Sequence, residues 1–356
     1  MIKLDLIKRF VPLRVTLLNA VRSLAMPLAA ALCLCACSCS TGSALQQILG
    51  LSAEAPVFLD CKAVSPTEII FRFSLPVKVT SLHFDPAAAV GSITNGAEVS
   101  VVLDAPMTGG ERITADILVE DTGGNTLNVL VPFRARNDDM PSLVINEIRT
   151  EYSKPKVEFV EMKILSAGNL GGMRMFLAGN AQSDPFYEFP PAKVAAGEYI
   201  VIHLRTLDPN SVDETGDNLR LTLLTSDNEA QITARDFWIP GSKKHLSKKA
   251  GTVFFLDQDD TVLDAVMFSE NPDPWWQDEK YAQAADFLRE QGAWLAGDEG
   301  IPGPADAVSS KYTTATRSLS RKEGRKDTNT ADDWYTTAAS CATPGKVNNE
   351  KVYVVP

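Results

Sequence analysis

Alternating apolar and polar residues predict a run of short β-strands between residues 55 and 136. The clearest case is 113–119, in which every second residue is Ile, Ala, Ile or Val and would lie on one face of a sheet. A glycine-containing turn at 120–126 separates that strand from the strand predicted at 127–133. Two further strands are predicted at 69–75 and 99–103. Strands spaced in this way, with turns between them and without a helical period, predict a β-sandwich over 55–137.

A second strand-rich region follows a polar, proline-containing junction at 136–142, so we place a domain boundary there. The second domain is predicted to span 141–350. Its predicted strands are 143–148, 158–164, 197–203, 219–224, 252–257 and 262–268. The strand pattern therefore predicts an all-β fold class with two strand-rich domains in tandem.

One segment of the second domain departs from the β pattern. Residues 278–296 contain no proline and place Tyr281, Leu288 and Leu295 at helical spacing. Asp278 suits the first turn of a helix and Gly297 suits its end. We therefore predict an amphipathic helix within an insertion at 272–300, and we expect its apolar stripe to pack on its own domain or on a partner.

The N-terminus has the pattern of a bacterial secretory signal over residues 1–36. Basic residues precede an apolar run at 24–36, which is too short to span a bilayer of roughly 30 Å. The run ends in Leu-Cys-Ala-Cys, which resembles the motif at which lipoproteins are acylated, and this predicts Cys37 as the lipidated first mature residue, with Cys39 as second choice. Residues 37–54 would then be a tether between the membrane and the folded domains.

The charge of the chain argues against a nucleic-acid partner. The formal net charge is −11, and an acidic surface repels phosphate backbones. The one local basic patch, Lys243, Lys244, His245, Lys248 and Lys249, is interpreted as a solvated loop. We expect the protein to be attached to the membrane through its lipid anchor, and we expect its partner to be an envelope protein or a glycan.

Cysteines beyond the signal are few. Only Cys61 and Cys341 follow the cluster at 33–39. Two thiols in an exported chain could form one disulfide, although spacing alone does not show that they approach each other. Cys61–Cys341 is therefore a candidate bridge. The scattered histidines and the lack of a Cys-x-x-Cys pair after the leader predict neither a metal site nor a cofactor.

Between residues 143 and 348 the chain resembles the lamin-tail domain, an immunoglobulin-like sandwich found in bacterial surface proteins and in nuclear lamins. The resemblance is carried, in order, by Val-Ile-Asn-Glu-Ile (144–148), Val-Glu-Phe-Val-Glu (157–161), Gly-Glu-Tyr-Ile-Val-Ile (197–202), Leu-Asp-Gln-Asp-Asp-Thr-Val-Leu-Asp-Ala-Val (256–266), Ser-Leu-Ser-Arg (318–321), Asp-Trp (333–334) and Thr-Pro-Gly-Lys-Val-Asn (343–348). The preceding Phe-Ser-Leu-Pro-Val (73–77) and Val-Glu-Asp-Thr-Gly-Gly-Asn (119–125) resemble bacterial Ig-like modules. The two resemblances imply an all-β fold of two immunoglobulin-like β-sandwich domains in tandem, the second with the inserted α-helix. They also imply a scaffold or binding module rather than an enzyme.

Acidic residues within these motifs have two interpretations. Glu147, Glu158 and Glu161 would be structural marks of the family, bonded to loop backbone or solvated. Alternatively, two of them could act as the acid and base of a hydrolase. We favour the structural interpretation and assign no catalytic residue. The aspartates at 257–260 are interpreted as a hairpin turn rather than as a calcium site.

Aromatic residues at the insertion are the candidate binding site. Trp275 and Trp276 could stack on a sugar or anchor a partner, together with Tyr281 and Leu288, or they could pack the helix onto the sandwich. The function that the sequence favours is a non-catalytic, membrane-anchored envelope lipoprotein that presents an interaction domain. The alternatives are a glycan-binding envelope module and, less favoured, a hydrolase or an accessory to one.

Overall fold

The computed structural model of the protein describes residues 54–221, 230–296 and 300–356. The predicted signal peptide, the tether up to residue 53 and the predicted lipidation site Cys37 lie outside the described residues. Among the helices of the described part, none combines the length and the apolar character needed to cross a membrane. The described residues form strands, one α-helix and two short 3-10 helices (Pro304–Asp306 and Ala331–Asp333), which confirms the predicted all-β sandwich class with an inserted helix.

The first domain is a sandwich of antiparallel strands. They are β1 (Phe58–Ser65), β2 (Glu68–Asp85), β3 (Val90–Thr94), β4 (Gly96–Leu103), β5 (Arg112–Asp121) and β6 (Thr126–Arg134). Their order is β3-β4-β2-β5-β6, and β1 also pairs with β2. The predicted alternation in β5 is confirmed, because Ile113, Ala115, Ile117 and Val119 are all buried in the domain core.

The long strand β2 belongs to both layers of this sandwich. Its first half pairs with β1 and β4, and its second half, from Val77 onwards, pairs with β5. The pairing with β4 is irregular between Arg72 and Val77, where Pro76 has no N–H to donate. The strand therefore passes from one layer to the other at this proline.

The second domain contains the remaining strands and the helix. The strands are β7 (Leu143–Arg149), β8 (Phe159–Ile164), β9 (Gly168–Asn169), β10 (Arg174–Phe176), β11 (Tyr187–Glu188), β12 (Lys193–Val194), β13 (Tyr199–His203), β14 (Arg235–Trp238), β15 (Ala250–Leu256), β16 (Val262–Ser269), β17 (Val308–Ser309), β18 (Leu319–Arg321) and β19 (Trp334–Thr336). The helix α1 spans Glu279–Glu290.

Two sheets form the second sandwich. One has the order β14-β13-β8-β7-β18-β19, the other has the order β11-β10-β15-β16-β17, and β9 and β12 form a separate pair. Residues from both sheets share one buried apolar cluster, which includes Ile145, Val160 and Phe255. Strand β14 pairs in parallel with β13, and it lies outside the strands that the sequence predicted. Of the strand predicted at 219–224, residues 219–221 form a turn and a bend rather than a strand, and 222–224 lie outside the described residues.

Helix α1 forms a third layer on the sheet that contains β15 and β16. Its buried residues are Ala284, Ala285 and Leu288, and the Phe287 ring lies 5.7 Å from that of Phe254 in β15. The helix begins as predicted, since the Asp278 side chain accepts a hydrogen bond from the backbone N–H of Lys280 at 3.1 Å. Its predicted end at Gly297 is wrong, because the chain leaves the helix at Gly292, which has a φ of 67°.

The two domains meet at a close backbone contact. A Cβ on Gly110, whose φ is 78°, would lie 2.0 Å from the carbonyl carbon of Gly171 in the other domain. Beside this contact, the Asn137 amide donates at 2.8 Å to the carbonyl oxygens of both Asn169 and Gly171. Arg136 extends the contact through an ion pair of 2.6 Å with Asp259. The junction is therefore a hydrogen-bonded interface.

The predicted disulfide is wrong, because Cys61 and Cys341 are both free thiols. Cys61 lies in β1, opposite Phe71 of the first domain. Cys341 lies in the C-terminal loop of the second domain, where its carbonyl accepts a hydrogen bond from Asn349 at 2.6 Å. Each cysteine is thus held within its own domain. Burial, with a contribution from Asp60, raises the pKa of the Cys61 thiol to about 12, so this thiol is protonated at neutral pH.

Candidate functional site

Two of the acidic residues singled out from the sequence lie side by side in the second domain. Strands β7 and β8 pair with Glu147 opposite Glu161, and neither side chain is exposed. Burial raises the pKa of Glu147 and raises that of Glu161 well above its usual range, and the neighbouring Glu147 charge adds to the second effect. This pair would be strongly unfavourable without hydrogen-bond donors.

The donors come from β7 itself and from two segments near the C-terminal end of the domain. Glu147 accepts a hydrogen bond from the Ser318 hydroxyl and, at 2.9 Å, from the backbone N–H of Thr343. Glu161 accepts from the Asn146 amide at 2.7 Å and from the backbone N–H of Gly345. The carboxylates are thus bonded to loop backbone, as the structural interpretation of the sequence expected, but they are buried rather than solvated.

Asn348 completes this buried polar network. Its amide nitrogen donates to both oxygens of Asn146, the carbonyl at 3.0 Å and the side-chain oxygen at 3.1 Å, and to the Arg321 carbonyl at 2.9 Å. The segment Thr343–Asn348 is the last family-like motif of the sequence. It donates hydrogen bonds to acceptors in the first two motifs, and it thereby fastens the C-terminal segment to β7 and β8. We call Asn146, Glu147, Glu161, Ser318 and residues 343–348 the clasp network.

A buried ion pair extends the clasp network into the second sheet. Asp264 of β16 accepts from the backbone N–H of Ile145 at 2.5 Å and from the Arg321 guanidinium at 2.8 Å. The same guanidinium donates to the Ile145 carbonyl at 2.6 Å. Burial raises the pKa of Asp264 to about 6 in spite of the opposing charge of Arg321. The ion pair thereby ties the two layers of the sandwich together.

The third acidic residue, Glu158, belongs to a separate arrangement. It is fully buried and accepts two hydrogen bonds from the Arg205 guanidinium, at 2.6 Å and 2.5 Å. The guanidinium carbon of Arg205 lies 4.0 Å from the centre of the Tyr152 ring. A two-point ion pair of this kind fixes the orientation of the arginine, so Glu158 and Arg205 together hold the position of Tyr152.

Comparison with known proteins places the second domain in a family. The family model named TP_1001_2nd, described as a protein second domain, matches residues 141–336, which run from just before β7 to the end of β19. The match covers more than half of the chain. The chain belongs to this family.

A related protein comes from Treponema pallidum (strain Nichols), where it bears the description "Uncharacterized protein". It is 28% identical over 202 residues, which cover 54% of this chain and 50% of the relative. The match thus spans about half the length of that relative.

Two solved structures give distant matches. One is the N-terminal part of the bacterial S-layer protein SbsC, with 12% identity, a TM-score of 0.23, and coverage of 61% of this chain and 44% of that chain. The other is a DUF4876 family protein from Bacteroides thetaiotaomicron VPI-5482, with 15% identity, a TM-score of 0.29, and coverage of 79% of this chain and 94% of that chain. Both TM-scores are low.

The structure separates the four residues of the candidate binding site at the insertion. Trp275 is 67% exposed, whereas Trp276 is buried and its indole N–H donates to the Pro302 carbonyl at 2.8 Å. Leu288 is fully buried in the domain core, and Tyr281 packs partly buried against Trp276. Of the two interpretations left open by the sequence, packing of the helix onto the sandwich therefore describes Trp276, and a binding role stays a prediction for the exposed Trp275.

Sequence reasoning missed the basic partners of the buried carboxylates. Arg205 and Arg321 are both nearly buried, and Asp264 stands in the sequence only as one residue of the family-like motif 256–266. A signal was present, since a charged residue inside the apolar run 262–268 must find a partner or face solvent. The sequence could not identify that partner, because Arg321 lies 57 residues further along the chain.

Proposed function

We propose that this protein is a non-catalytic bacterial envelope lipoprotein, anchored to a membrane through acyl chains on Cys37, and that its second domain is a lamin-tail-like interaction module. The first domain, an Ig-like spacer, would separate that module from the anchor. Support for export and anchoring comes from the basic and apolar N-terminal pattern and from Leu-Cys-Ala-Cys at 34–37.

The observation that carries the non-catalytic assignment is the clasp network. A general acid or base has to come within hydrogen-bond reach of a substrate. Glu147 and Glu161 are fully buried, and both accept hydrogen bonds from the protein's own hydroxyl, amide and backbone groups. Their positions therefore favour a structural role, in which the motif residues hold the sandwich closed.

Membrane fractionation tests the anchoring. The wild-type protein should be recovered in the membrane fraction, and mass spectrometry of its N-terminal peptide should show acyl chains on Cys37. The Cys37→Ser protein should be released into the soluble fraction. The matched variant is Cys39→Ser, which leaves the predicted acylation site intact and should stay with the membrane.

Two outcomes would reject the anchoring proposal. Retention of the Cys37→Ser protein in the membrane, with an unmodified wild-type peptide, would show that lipidation does not hold the chain there. Release of the Cys39→Ser protein alone would move the anchor to the other cysteine.

A further inference from the structure

A cavity of about 550 Å³ opens at one end of the second sandwich. It lies between the turn that joins β7 to β8 and the turn that precedes β18. A volume of this size suits a small ligand or a few sugar residues. Lys248 of the basic patch noted in the sequence lines it.

The cavity is basic in a protein that is strongly acidic overall. Lys154, Lys156 and Lys248 line it, whereas the formal charge of the chain is −11. Within residues 54–221, 230–296 and 300–356, Lys154 and Lys156 form no ion pair. The acidic residue of the lining is Glu151, whose carboxylate is engaged by the Lys244 ammonium at 3.1 Å and by the backbone N–H of Lys248 at 2.9 Å. Lys248 pairs with Glu270 at 2.7 Å. Two of the three lysines that line the cavity are therefore without an acidic partner among the described residues.

An aromatic ring is held in the wall of this cavity. Tyr152 is 37% exposed, and the Arg205 guanidinium packs against its ring at 4.0 Å. Arg205 is itself fixed by the fully buried Glu158. Because this support is buried, the ring is positioned in advance for stacking. Aromatic faces of this kind bind the apolar faces of sugar rings or other flat ligands.

The two turns that border the cavity have backbone groups that are already hydrogen-bonded, so a ligand would bind to their side chains. Ser153 and Lys156 exchange both backbone hydrogen bonds, at 3.0 Å and 2.9 Å, and Thr314 and Arg317 do the same at 3.1 Å and 3.0 Å. These turn groups are thus already paired, which disfavours a peptide that binds by adding a strand. Ser153, Thr314 and Thr316 also line the cavity, and the hydroxyls of the two threonines are hydrogen-bonded to each other at 3.1 Å.

We propose that this cavity binds an acidic saccharide, meaning a sugar chain that carries ring carboxylates. Tyr152 stacks on a sugar ring, Lys154 and Lys156 bind its carboxylates, and the serine and threonine hydroxyls bind its hydroxyl groups. Glu158 and Arg205 act as positioning residues for the aromatic ring. This inference rests on the proposed role of the second domain as an interaction module, and it supplies the class of ligand.

Calorimetric titration of the full-length protein in detergent micelles tests the proposal, with tri-galacturonate as the probe. Maltotriose is the uncharged sugar control, and hexaglutamate is the charged control that is not a sugar. Tri-galacturonate should bind at least about tenfold more tightly than either control, since only it matches both the ring and the charges. Its affinity should also fall as the salt concentration rises from about 0.05 M to about 0.5 M, because exposed charges are screened.

Variants assign the binding to this cavity. The Lys154→Ala/Lys156→Ala protein and the Tyr152→Ala protein should each lose about tenfold or more in affinity for tri-galacturonate. Tyr152→Phe should retain binding, since it keeps the ring. The matched control is Lys78→Ala/Lys351→Ala, which removes two exposed lysines outside the cavity and should leave the affinity unchanged.

Four results would overturn the proposal: no binding of tri-galacturonate, equal binding of hexaglutamate, equal binding of maltotriose, or unchanged affinity in the cavity variants. Equal binding of hexaglutamate would identify an acidic-peptide site instead. Fractionation of the Cys37→Ser protein gives an independent answer. If the protein is anchored but does not bind tri-galacturonate, only the saccharide site is rejected. If it binds tri-galacturonate but is not anchored, only the lipid anchor is rejected.

Discussion

Replacing Asn348 with alanine removes the side chain of the C-terminal segment that bonds to both β7 and β18 in the clasp network. Its amide nitrogen donates to three acceptors, namely the two oxygens of Asn146 and the carbonyl of Arg321, at 2.9–3.1 Å. Asn348 is 8% exposed, and Asn146 is fully buried. The variant therefore leaves acceptors inside the domain with few alternative donors.

The expected loss follows from the cost of unpaired buried groups. An unsatisfied buried acceptor costs about 1–3 kcal/mol, and the three acceptors share one NH₂ group with two hydrogens. Water can reach part of the vacated space because the site lies close to the surface. We therefore expect the free energy of unfolding of the second domain to fall by about 2–4 kcal/mol.

Urea unfolding followed by tryptophan fluorescence measures this loss, because all five tryptophans lie in the second domain. The matched control is Asn271→Ala, which truncates an exposed asparagine of the same domain and should change the free energy of unfolding by less than about 0.5 kcal/mol. If Asn348→Ala behaves like this control, the clasp network does not stabilise the domain and our reasoning about the motif residues is wrong.

Two further predictions concern the same domain. Burial raises the folded-state pKa of Glu161 and raises that of Asp264 to about 6, so the folded domain retains protons that the unfolded chain has released. The free energy of unfolding should therefore fall as pH rises from about 4.5 to about 7, by at most about 1.4 kcal/mol per pH unit for each retained proton. Glu161→Gln should flatten this dependence in urea titrations at several pH values, and a stability that rises with pH across this window would contradict the assignment. Trp276→Ala should cost about 3–5 kcal/mol because it empties a buried site, whereas Trp275→Ala should cost less than about 0.5 kcal/mol, and equal losses in urea unfolding would show that the insertion is packed differently.

Strand alternation could be predicted from the sequence where one face of a strand is buried and the other is not. The residues at 113, 115, 117 and 119 are such a case, and all four are buried. In α1 the start was predictable, because Asp278 is a local capping signal. The end was not, since Gly292 and Gly297 are both acceptable stop signals, and packing of Trp294 in the core selects the earlier one.

Burial of adjacent loop residues could not be predicted in the same way. Trp275 and Trp276 have the same side chain and are neighbours in the sequence, yet one is 67% exposed and the other 9%. The difference is set by the Pro302 carbonyl, which accepts from the Trp276 indole and comes from a segment 26 residues later. Periodicity carries no information in an irregular loop, so only tertiary contacts decide which ring is buried.

The clasp network explains why the last family-like motif, residues 343–348, lies against the opening strands of the domain. Glu147 and Glu161 lie opposite each other on β7 and β8, so the opening strands alone bring together two buried acidic groups. The backbone N–H groups that they accept from belong to Thr343 and Gly345, and the bond between Asn146 and Asn348 spans 202 residues. The family match ends at residue 336, before these donors. The sandwich therefore reaches its full stability only when residues 343–348 fold back onto β7 and β8, which makes the C-terminal segment part of the core of the domain rather than a tail.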